Sequence, residues 1–514
     1  MRIATGAVVV AVALVVVHLV TIGNYGYFGD ELYFIDCARH LAWGYVDLPP
    51  FVAVLCWIAG PLGSPLWAIR LPSALAAGGT VLVAAAIARE FEGKAFAQTL
   101  AAIGVALAPT DLLYGSFLST SSFEPLTWSL LVWLTLRLAR TADPKTFVPI
   151  GALVLAALYM KYSIALCAVA LATGLVLRGR ARLFASPWFA AALAGVALLA
   201  LPNVLWQFAH GLPFLEVVKT DALDRHPLGN GVAFESSNLA LNAVLFAGMQ
   251  IVYLNPVLAF VWIWGLGWLA FARSALSYRF LAIAYLALFA LMVAGNARGY
   301  YMSAFYATLF AAGGVAVERA TRERSAWRWA VGGVALAGGL ALAPFAIPVL
   351  PVDTFIAYTA ALGASKPAPP DDKPHLIQPL YAEEFGWDAM TRMVAGVYHA
   401  LPAAERADTP IYTDGYTYAG AFDFYGPKYG LPPVLSGNNN YYLWGYGSYS
   451  GKRMIAIGGS SYRLYTQLYG SVEQVAVYRD THRWMIEGPL PIYLCTLPKM
   501  PLAQMWPLFK KYGL

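Results

Sequence analysis

Long apolar runs alternate with short polar segments through the first 350 positions of the chain. Most of these runs are close to the length of about 17 to 25 residues that an α-helix needs to cross the hydrocarbon core of a bilayer. The pattern predicts a polytopic α-helical membrane protein with about eleven transmembrane helices. The predicted spans are residues 4–22, 66–88, 95–110, 121–138, 146–160, 162–178, 187–207, 256–272, 279–295, 300–317 and 328–350.

The pattern changes after Leu350. Lys366–Asp372 is a proline-rich segment that is too stiff and polar to form a span, so we interpret it as a linker. Beyond it, Met390–Leu401 has helical periodicity, and clusters of β-branched and aromatic residues favour short strands. The predicted strands are Pro410–Thr413, Arg453–Ile457, Glu473–Tyr478 and Pro491–Cys495. The chain therefore divides into a membrane domain, residues 1–350, and a soluble α/β domain, residues 351–514.

Charge sets the expected orientation. Only 12% of the residues are charged, and the basic ones cluster in alternate loops on the same side as Arg2. An excess of lysine and arginine marks the cytoplasmic side, so we expect the loop 23–65 and the α/β domain to lie outside the cytoplasm. The apolar stretch 236–254 is interpreted as a helix on the outer membrane surface, because a crossing there would place Arg273 and Arg279 outside. Topology thus explains the net charge of +6, which gives no indication of nucleic-acid binding.

The loop 23–65 carries an unusual concentration of acidic residues. Spacing from Glu31 to Trp43 favours a short amphipathic helix, and an acid at its start could simply cap free backbone N–H groups. Capping requires only one carboxylate. It does not account for Asp47 or for the aromatic residues that flank the acids, and these favour a chemical role for the loop. The acids are Asp30, Glu31, Asp36 and Asp47, and the aromatics include Tyr33 and Tyr45.

The cysteines are few, and their spacing matches no metal site. Cys37 and Cys56 both lie in the predicted outer loop, where they could pair or remain free and buried.

This loop resembles that of the GT-C superfamily of membrane glycosyltransferases. The motif is Asp30-Glu31-Leu32-Tyr33-Phe34, followed by Ala38-Arg39-His40 and by Asp47 shortly before Pro49-Pro50. Within the superfamily the chain is similar to the protein O-mannosyltransferase and lipid A aminoarabinose transferase branch. Other segments that carry the resemblance are Arg70–Leu75, Phe123–Leu126, Lys161–Ser163, Leu201–Gln207, Tyr300–Tyr301 and Ser436–Tyr441.

The resemblance implies transfer of a sugar from a polyprenyl-phosphate donor to a glycan, lipid or protein of the cell envelope, at the outer face of the bacterial inner membrane. It implies that Asp30 is the general base on the acceptor hydroxyl, with inversion at the anomeric carbon, and Glu31 and Asp47 are further catalytic candidates. Such a transfer needs cations or a metal to stabilise the departing phosphate. A divalent metal held by Asp47 and a distant residue is one option.

Basic residues on the predicted outer side are the candidates for binding the donor phosphate. They are Lys161, Arg70 and Arg298. Each could instead extend its side chain to the membrane interface for structural reasons. However, basic residues on this side run against the charge bias, and charges at membrane depth are usually functional.

The chain departs from the family pattern at two positions. Aminoarabinose transferases carry a lysine where this chain has Leu48, and related transferases often have an aspartate where this chain reads Ser119–Ser122. Glu124 could replace that aspartate or could be a helix-cap charge.

Further substrate-binding candidates are aromatic or amide side chains: Tyr33, Tyr45, Tyr300, Tyr301 and Asn439. Tyrosines of the outer domain, including Tyr416, could stack on sugar rings or form its core. The loop Ser436–Tyr442 is expected to fold over the active site.

Two other functions remain open at this point. A transporter or flippase for a lipid-linked or polar solute would need a similar number of spans and could use buried acids as proton relays. No inverted repeat of broken spans is visible, and the acids cluster in a surface loop and not at the membrane midplane. A scaffold that captures an envelope partner with its outer domain is the third possibility.

Overall fold

The computed structural model describes residues 2–223, 239–363, 379–480, 482 and 489–513. Its first part is a bundle of helices. These are α1 Thr5–Thr21, α2 Gly29–Arg39, α3 Phe51–Ala59, α4 Leu66–Glu90, α5 Ala95–Ala106, α6 Pro109–Ser116, α7 Glu124–Thr141, α8 Phe147–Leu158, α9 Ile164–Leu177, α10 Pro187–Ala209, α11 Pro213–Leu223, α12 Leu239–Tyr253, α13 Ala259–Phe271, α14 Arg279–Ala294, α15 Tyr306–Ala320, α16 Ser325–Leu342 and α17 Val352–Ala361.

Each predicted span coincides with one of these helices. By length and apolar composition alone, five described helices can cross a membrane, or up to seven if each of two bent pairs is one span. Shorter apolar helices, α1, α8 and α9 among them, fall below that length. The chain is thus a multi-pass membrane protein, and the count of eleven crossings stays a prediction.

The two bent pairs interrupt spans at defined points. Helices α5 and α6 meet at an angle of 63°, and α12 meets the Pro256–Phe271 segment at 101°. Proline begins the second member of each pair, where its fixed φ suits a helix start. Helix α12 covers most of the stretch predicted to lie on the membrane surface, and residues 236–238 of that stretch lie outside the described part of the chain.

Helix α15 is the centre of the membrane bundle and is buried along nearly its whole length. It lies against α13 so closely that a Cβ on Gly313 would come within 2.0 Å of the Val261 carbonyl oxygen. A Cβ on Gly314 would likewise meet the Ala97 carbonyl oxygen of α5 at 2.4 Å. Small residues allow this close approach of helix backbones in membranes. By contrast, α10 buries only Asn203 and Gln207 and faces outward.

The second part is an α/β domain with a five-stranded sheet of order β2-β1-β3-β5-β4. Strand β1 pairs in parallel with β2 and β3, while β5 pairs antiparallel with β3 and β4. The strands are β1 Ile411–Thr413, β2 Leu435–Ser436, β3 Arg453–Ile457, β4 Tyr469–Tyr478 and β5 Leu490–Pro498. The helices are α18 Pro379–Ala382, α19 Trp387–Ala400, α20 Ala403–Arg406, α21 Tyr416–Tyr425, α22 Asn440–Trp444, α23 Tyr462–Leu468 and α24 Leu502–Met505.

All four predicted strands are present, and the predicted helix 390–401 is the larger part of α19. Strand β2 was not predicted because its two residues are too short to show a period. The predicted linker Lys366–Asp372 lies outside the described residues.

The first outer loop and the α/β domain share one hydrophobic core. Helix α2 packs against α21, and a Cβ on Gly420 of α21 would lie 2.7 Å from the backbone of Leu32 and Tyr33. Trp387 and Met390 of α19 are buried in the same cluster. Since the loop is sandwiched in this way, its conformation depends on both parts of the chain.

Candidate active site

Helix α2 begins at Gly29 and ends at Arg39, so it starts and stops earlier than the predicted segment 31–43. The Glu31 carboxylate caps it by accepting a hydrogen bond from the Phe28 N–H at 2.9 Å. Asp30, one residue earlier, is therefore not needed as the cap. Its carboxylate is available for other chemistry.

Glu31 and Arg70 form a buried ion pair. Oxygens of Glu31 accept hydrogen bonds from Arg70 Nε and Nη2, both at 2.8 Å, and from the Leu118 N–H at 2.9 Å. The Arg70 Nη2 lies 3.2 Å from an oxygen of Glu384 in the α/β domain. The three side chains are at most 3% exposed. Groups so enclosed by protein partners are typical of a structural role, and the catalytic role of Glu31 and the phosphate-binding role of Arg70 stay predictions.

Burial raises the pKa of Glu384 from its ordinary value of 4.5 to about 8, although Arg70 opposes the shift. The cluster thus combines one guanidinium with two carboxyl groups, of which Glu384 holds its proton at neutral pH. A buried ion pair of this kind is costly to break by removing one partner.

Asp30 is half-buried at the first turn of α2. The Tyr416 hydroxyl donates a hydrogen bond to its Oδ1 at 3.0 Å. Burial raises the pKa of Asp30 to about 6; the Tyr416 bond lowers it, nearby Glu31 raises it, and Arg298 lowers it. A carboxylate with a pKa near 6 is ionised at neutral pH and is a stronger base than an ordinary aspartate, which suits proton abstraction.

Asp47 lies beside this site. Its Oδ1 accepts a hydrogen bond from the Tyr33 hydroxyl at 2.8 Å, and its Oδ2 accepts one from Asn439 Nδ2 at 3.1 Å. The rings of Tyr33 and Tyr416 are in contact, with centroids 4.7 Å apart. Two packed tyrosines therefore join Asp30 to Asp47, and the two acids belong to one site.

Two predicted substrate-binding tyrosines are buried. Tyr33 is 0% and Tyr45 1% exposed. The Tyr45 hydroxyl donates to the Cys37 carbonyl oxygen at 2.9 Å and accepts from the Ala42 N–H at 3.2 Å, so it closes the turn after α2. In these positions Tyr33 orients Asp47 and Tyr45 shapes the loop, and sugar contact by either residue stays a prediction.

The loop Ser436–Tyr442 contacts both the loop 23–65 and helix α21 through its asparagines. Asn438 Oδ1 accepts a hydrogen bond from the Tyr416 N–H at 2.9 Å, and Asn440 Oδ1 accepts one from the Val46 N–H at 3.1 Å. The Asn440 amide also donates to the Tyr33 hydroxyl. This loop therefore holds both Tyr416 and Tyr33 in place. It was expected to fold over the active site, and it contacts these two residues of the site.

Asn439 itself is 1% exposed and has a φ of 47°. With a ψ of −128°, this is a positive-φ conformation that residues other than glycine adopt uncommonly. Since its amide group is held by Asp47 and by the Gly513 N–H, Asn439 positions an acid and does not present a free amide to a substrate.

Lys161 lies in a second polar cluster. Its Nζ donates to Glu124 Oε2 at 2.5 Å and to Ser121 Oγ at 2.6 Å, and it sits 4.8 Å from the centroid of the Tyr301 ring. The Ser163 hydroxyl donates to the other oxygen of Glu124. Glu124 is thus the acid that holds Lys161, in the region where related transferases carry an aspartate and this chain has serines.

The short 3-10 helix Gly299–Phe305 runs between the two clusters. Arg298, just before it, is hydrogen-bonded to Tyr300 and acts electrostatically on Asp30. The rings of Tyr300 and Tyr301 are 4.9 Å apart, and Tyr301 lies under Lys161. The predicted residues Asp30, Arg298, Tyr300, Tyr301, Lys161 and Glu124 therefore form one connected region.

The option of a divalent metal held by Asp47 and a distant residue stays a prediction. Among the described residues, no group of three or more His, Cys, Asp or Glu side chains is placed to hold a metal ion. Asp47 is instead engaged by Tyr33 and Asn439. Cys37 and Cys56 are both buried, and each has a free thiol. The sequence left their pairing open, and in the structure they do not form a disulfide.

Sequence reasoning missed Glu384 as a partner of the first loop and interpreted Tyr416 as a sugar-stacking or core residue, without a link to Asp30. These residues lie 314 and 386 positions from their partners Arg70 and Asp30. No local pattern signals such pairs, because each depends on how the α/β domain docks.

Residues 47–206, just under a third of the chain, match the family model described as dolichyl-phosphate-mannose-protein mannosyltransferase. A search of curated proteins found no significant match.

Solved structures show the same fold over nearly the whole chain. The structure of ArnT from Cupriavidus metallidurans bound to undecaprenyl phosphate superposes with a TM-score of 0.59 at 16% identity, covering 96% of this chain and 98% of that one. The apo structure of the same protein gives 0.56 at 16% identity, covering 95% and 98%. The chain is therefore a membrane protein with the fold of the GT-C superfamily of glycosyltransferases, as its first-loop motif indicated.

Proposed function

We propose that the protein is an inverting glycosyltransferase. It moves a sugar from a polyprenyl-phosphate donor to a hydroxyl group of an envelope glycan, lipid or protein, at the outer face of the bacterial inner membrane. The observation that carries the proposal is Asp30, a half-buried carboxylate that accepts a hydrogen bond from Tyr416, has a pKa of about 6 and lies within electrostatic range of the cation Arg298. The undecaprenyl phosphate bound to ArnT supports this class of donor.

Asp30 acts as the general base. As the acceptor oxygen attacks the anomeric carbon of the donor sugar, its proton passes to the Asp30 carboxylate. The bond between that carbon and the phosphate oxygen breaks on the opposite face, so the configuration inverts and polyprenyl phosphate leaves with the electron pair. The transition state has oxocarbenium character, which nearby carboxylates favour.

Lys161 and Arg298 stabilise the phosphate. An ammonium group has three N–H donors, and Glu124 and Ser121 accept two of those on Lys161. The third can bind a phosphate oxygen without loss of the structural pair. Such preset cations are effective because they need no reorganisation as charge develops. Tyr300 and Tyr301 fix the spacing between the two cations.

Asp30→Asn tests this assignment, because the amide is nearly isosteric and cannot take the proton. Purified full-length protein is reconstituted in liposomes with a labelled polyprenyl-phosphate sugar and envelope extract as acceptor. We expect loss of transfer by about 100-fold or more. The control is Asp353→Asn, which changes an exposed acid at the start of α17.

Transfer at the wild-type rate by Asp30→Asn would refute the base assignment. A protein that flips or takes up a lipid-linked solute in these liposomes, without a sugar donor and independently of Asp30, would instead be a transporter.

A further inference from the structure

A second feature lies at the other end of the membrane bundle, near the arginine-rich loops. Helices α7, α8, α9 and α10 each turn an apolar face toward a cavity of about 170 Å³. Leu171 and Leu175 of α9 line it, together with Leu138 of α7, and its surface is almost wholly apolar. The cavity is open to the protein surface along one side, so an apolar chain can enter it from the surrounding membrane.

A second cavity of about 210 Å³ adjoins the first. It is lined by Arg178, Arg180 and Ser277, with Leu175 shared between the two cavities. Its lining contains two guanidinium groups and no carboxylate. Arg180 Nη1 donates to the Ala139 carbonyl oxygen at 2.9 Å, which fixes this side chain at the end of α7.

The two cavities lie one after the other along α9. Leu171, Leu175 and Arg178 are spaced at i, i+4 and i+7, which places them on one face of the helix. The rise of about 1.5 Å per residue separates the first from the last by roughly 10 Å. An apolar slot therefore leads directly to a pair of cations.

We propose that these joined cavities bind one anionic phospholipid, with an acyl chain between α7, α8, α9 and α10 and the phosphate against Arg178 and Arg180. The planar guanidinium fork matches phosphate oxygens. The arginine-rich side is the predicted cytoplasmic side, where anionic lipids concentrate. The site is distinct from the proposed donor site, because Arg178 lies 17 residues beyond Lys161 at the opposite end of α9. It does not rest on the proposed glycosyl transfer.

Native mass spectrometry of the purified full-length protein, after detergent exchange and titration with phosphatidylglycerol or phosphatidylethanolamine, tests the site. We expect the wild type to retain phosphatidylglycerol preferentially. Each arginine near a membrane surface contributes about fivefold to anionic-lipid affinity, so Arg178→Ala/Arg180→Ala should weaken retention by about 25-fold. Arg182→Ala, in the same loop but outside the cavity lining, is the matched control with the same charge change per site.

A separate variant tests the apolar slot. Leu193→Trp narrows the cavity from α10, where Leu193 is partly exposed, and should reduce retention of the lipid while leaving the arginines intact. Size-exclusion elution and the apparent melting temperature establish that each variant is folded, and Arg178→Ala alone serves if the double variant is not.

Three results would overturn the proposal. Equal retention of phosphatidylethanolamine and phosphatidylglycerol would mean ordinary boundary lipid only. Unchanged binding by Arg178→Ala/Arg180→Ala would mean that the phosphate lies elsewhere. Displacement of bound phosphatidylglycerol by stoichiometric undecaprenyl phosphate, lost in the arginine variant, would mean that the site belongs to the donor lipid.

Discussion

The Tyr416 hydroxyl donates a hydrogen bond to Asp30 Oδ1 at 3.0 Å, across the contact between the α/β domain and the first outer loop. Tyr416 is the first residue of α21, and its own N–H is held by Asn438 at 2.9 Å. The base strength of Asp30 is therefore set partly by a domain that begins more than 300 residues later in the chain.

Transfer should depend on pH with an acidic limb near 6. The active form of Asp30 is the carboxylate, and burial raises its pKa to about 6 from the ordinary 3.8. Activity is therefore retained above pH 7 and should fall about tenfold per pH unit below 6. The measurement is kcat/KM for sugar transfer between pH 4.5 and 8. An acidic limb near pH 4 would show that Asp30 is not shifted or is not the base.

Tyr416→Phe should move this limb upward. The hydroxyl bond stabilises the charged carboxylate, so its loss raises the pKa of Asp30 further. A hydrogen bond to a charged group is worth about 1.5–3 kcal/mol, which corresponds to about 1–2 pH units. The same kcat/KM profile measures the shift, and full activity should return at high pH.

The control for this variant is Tyr462→Phe, a partly exposed tyrosine in the same domain. A fall in activity by the same factor at every pH would contradict the electrostatic explanation. It would indicate that the variant misplaces Asp30, because misplacement lowers the rate without moving the acidic limb.

Arg70→Met should destabilise the protein by about 3–5 kcal/mol, because it leaves the buried Glu31 carboxylate without its cation. Glu384→Gln should not lower stability at pH 7, since the pKa of Glu384 near 8 means that the folded protein already holds this acid protonated, whereas the unfolded chain does not. The apparent midpoint of thermal unfolding in detergent measures both. A larger loss of stability for Glu384→Gln than for Arg70→Met would contradict the assignment of Glu31 as the charged acid and Glu384 as the protonated one.

The raised pKa of Glu384 has its own pH signature. Its contribution to stability is complete below pH 4.5, the ordinary value, and is lost as pH rises through about 8. The wild type should therefore lose stability between these values relative to Glu384→Gln, whose unfolding midpoint should decline less over the same range.

Lys161→Met should reduce kcat/KM for the donor by about 10- to 100-fold, the value of one charge-assisted hydrogen bond to phosphate. Lys161→Met also leaves the buried Glu124 carboxylate without its cation, which lowers stability. The double variant Lys161→Met/Glu124→Gln removes this unpaired charge, so it separates loss of phosphate binding from loss of folding. Lys145→Met changes a lysine before α8 on the other side of the bundle and should be neutral. Unchanged donor kinetics in the double variant would remove Lys161 from the phosphate site.

The periodic features of this chain could be predicted from its sequence. Apolar runs and alternating basic loops gave the helices, and β-branched clusters such as Arg453–Ile457 gave strands at their observed positions. The motif around Asp30 pointed to the residue that the structure places beside Tyr416 and Arg298. These signals are local, so a single sequence contains them.

The hydrogen bonds and ion pairs of the site join residues that are distant in the sequence, so they could not be predicted from it. Arg70 appeared as a free cation at a helix end, yet Glu31 and Glu384 enclose it. Tyr45 and Asn439 appeared as substrate contacts, but their hydrogen bonds are taken up by the protein itself. Which polar group finds a protein partner depends on the docking of two distant segments, and no spacing along the chain encodes that.

The order of synthesis gives the shared core of α2 and the α/β domain a further meaning. Domains form as the chain emerges, N-terminal parts first. Glu31 and Arg70 can pair early, but Glu384, Tyr416 and the asparagine loop follow only after the membrane helices are made. The site around Asp30 is therefore among the last parts of the molecule to mature. A partly made chain in the membrane would contain Asp30 but would lack the contacts that tune its pKa.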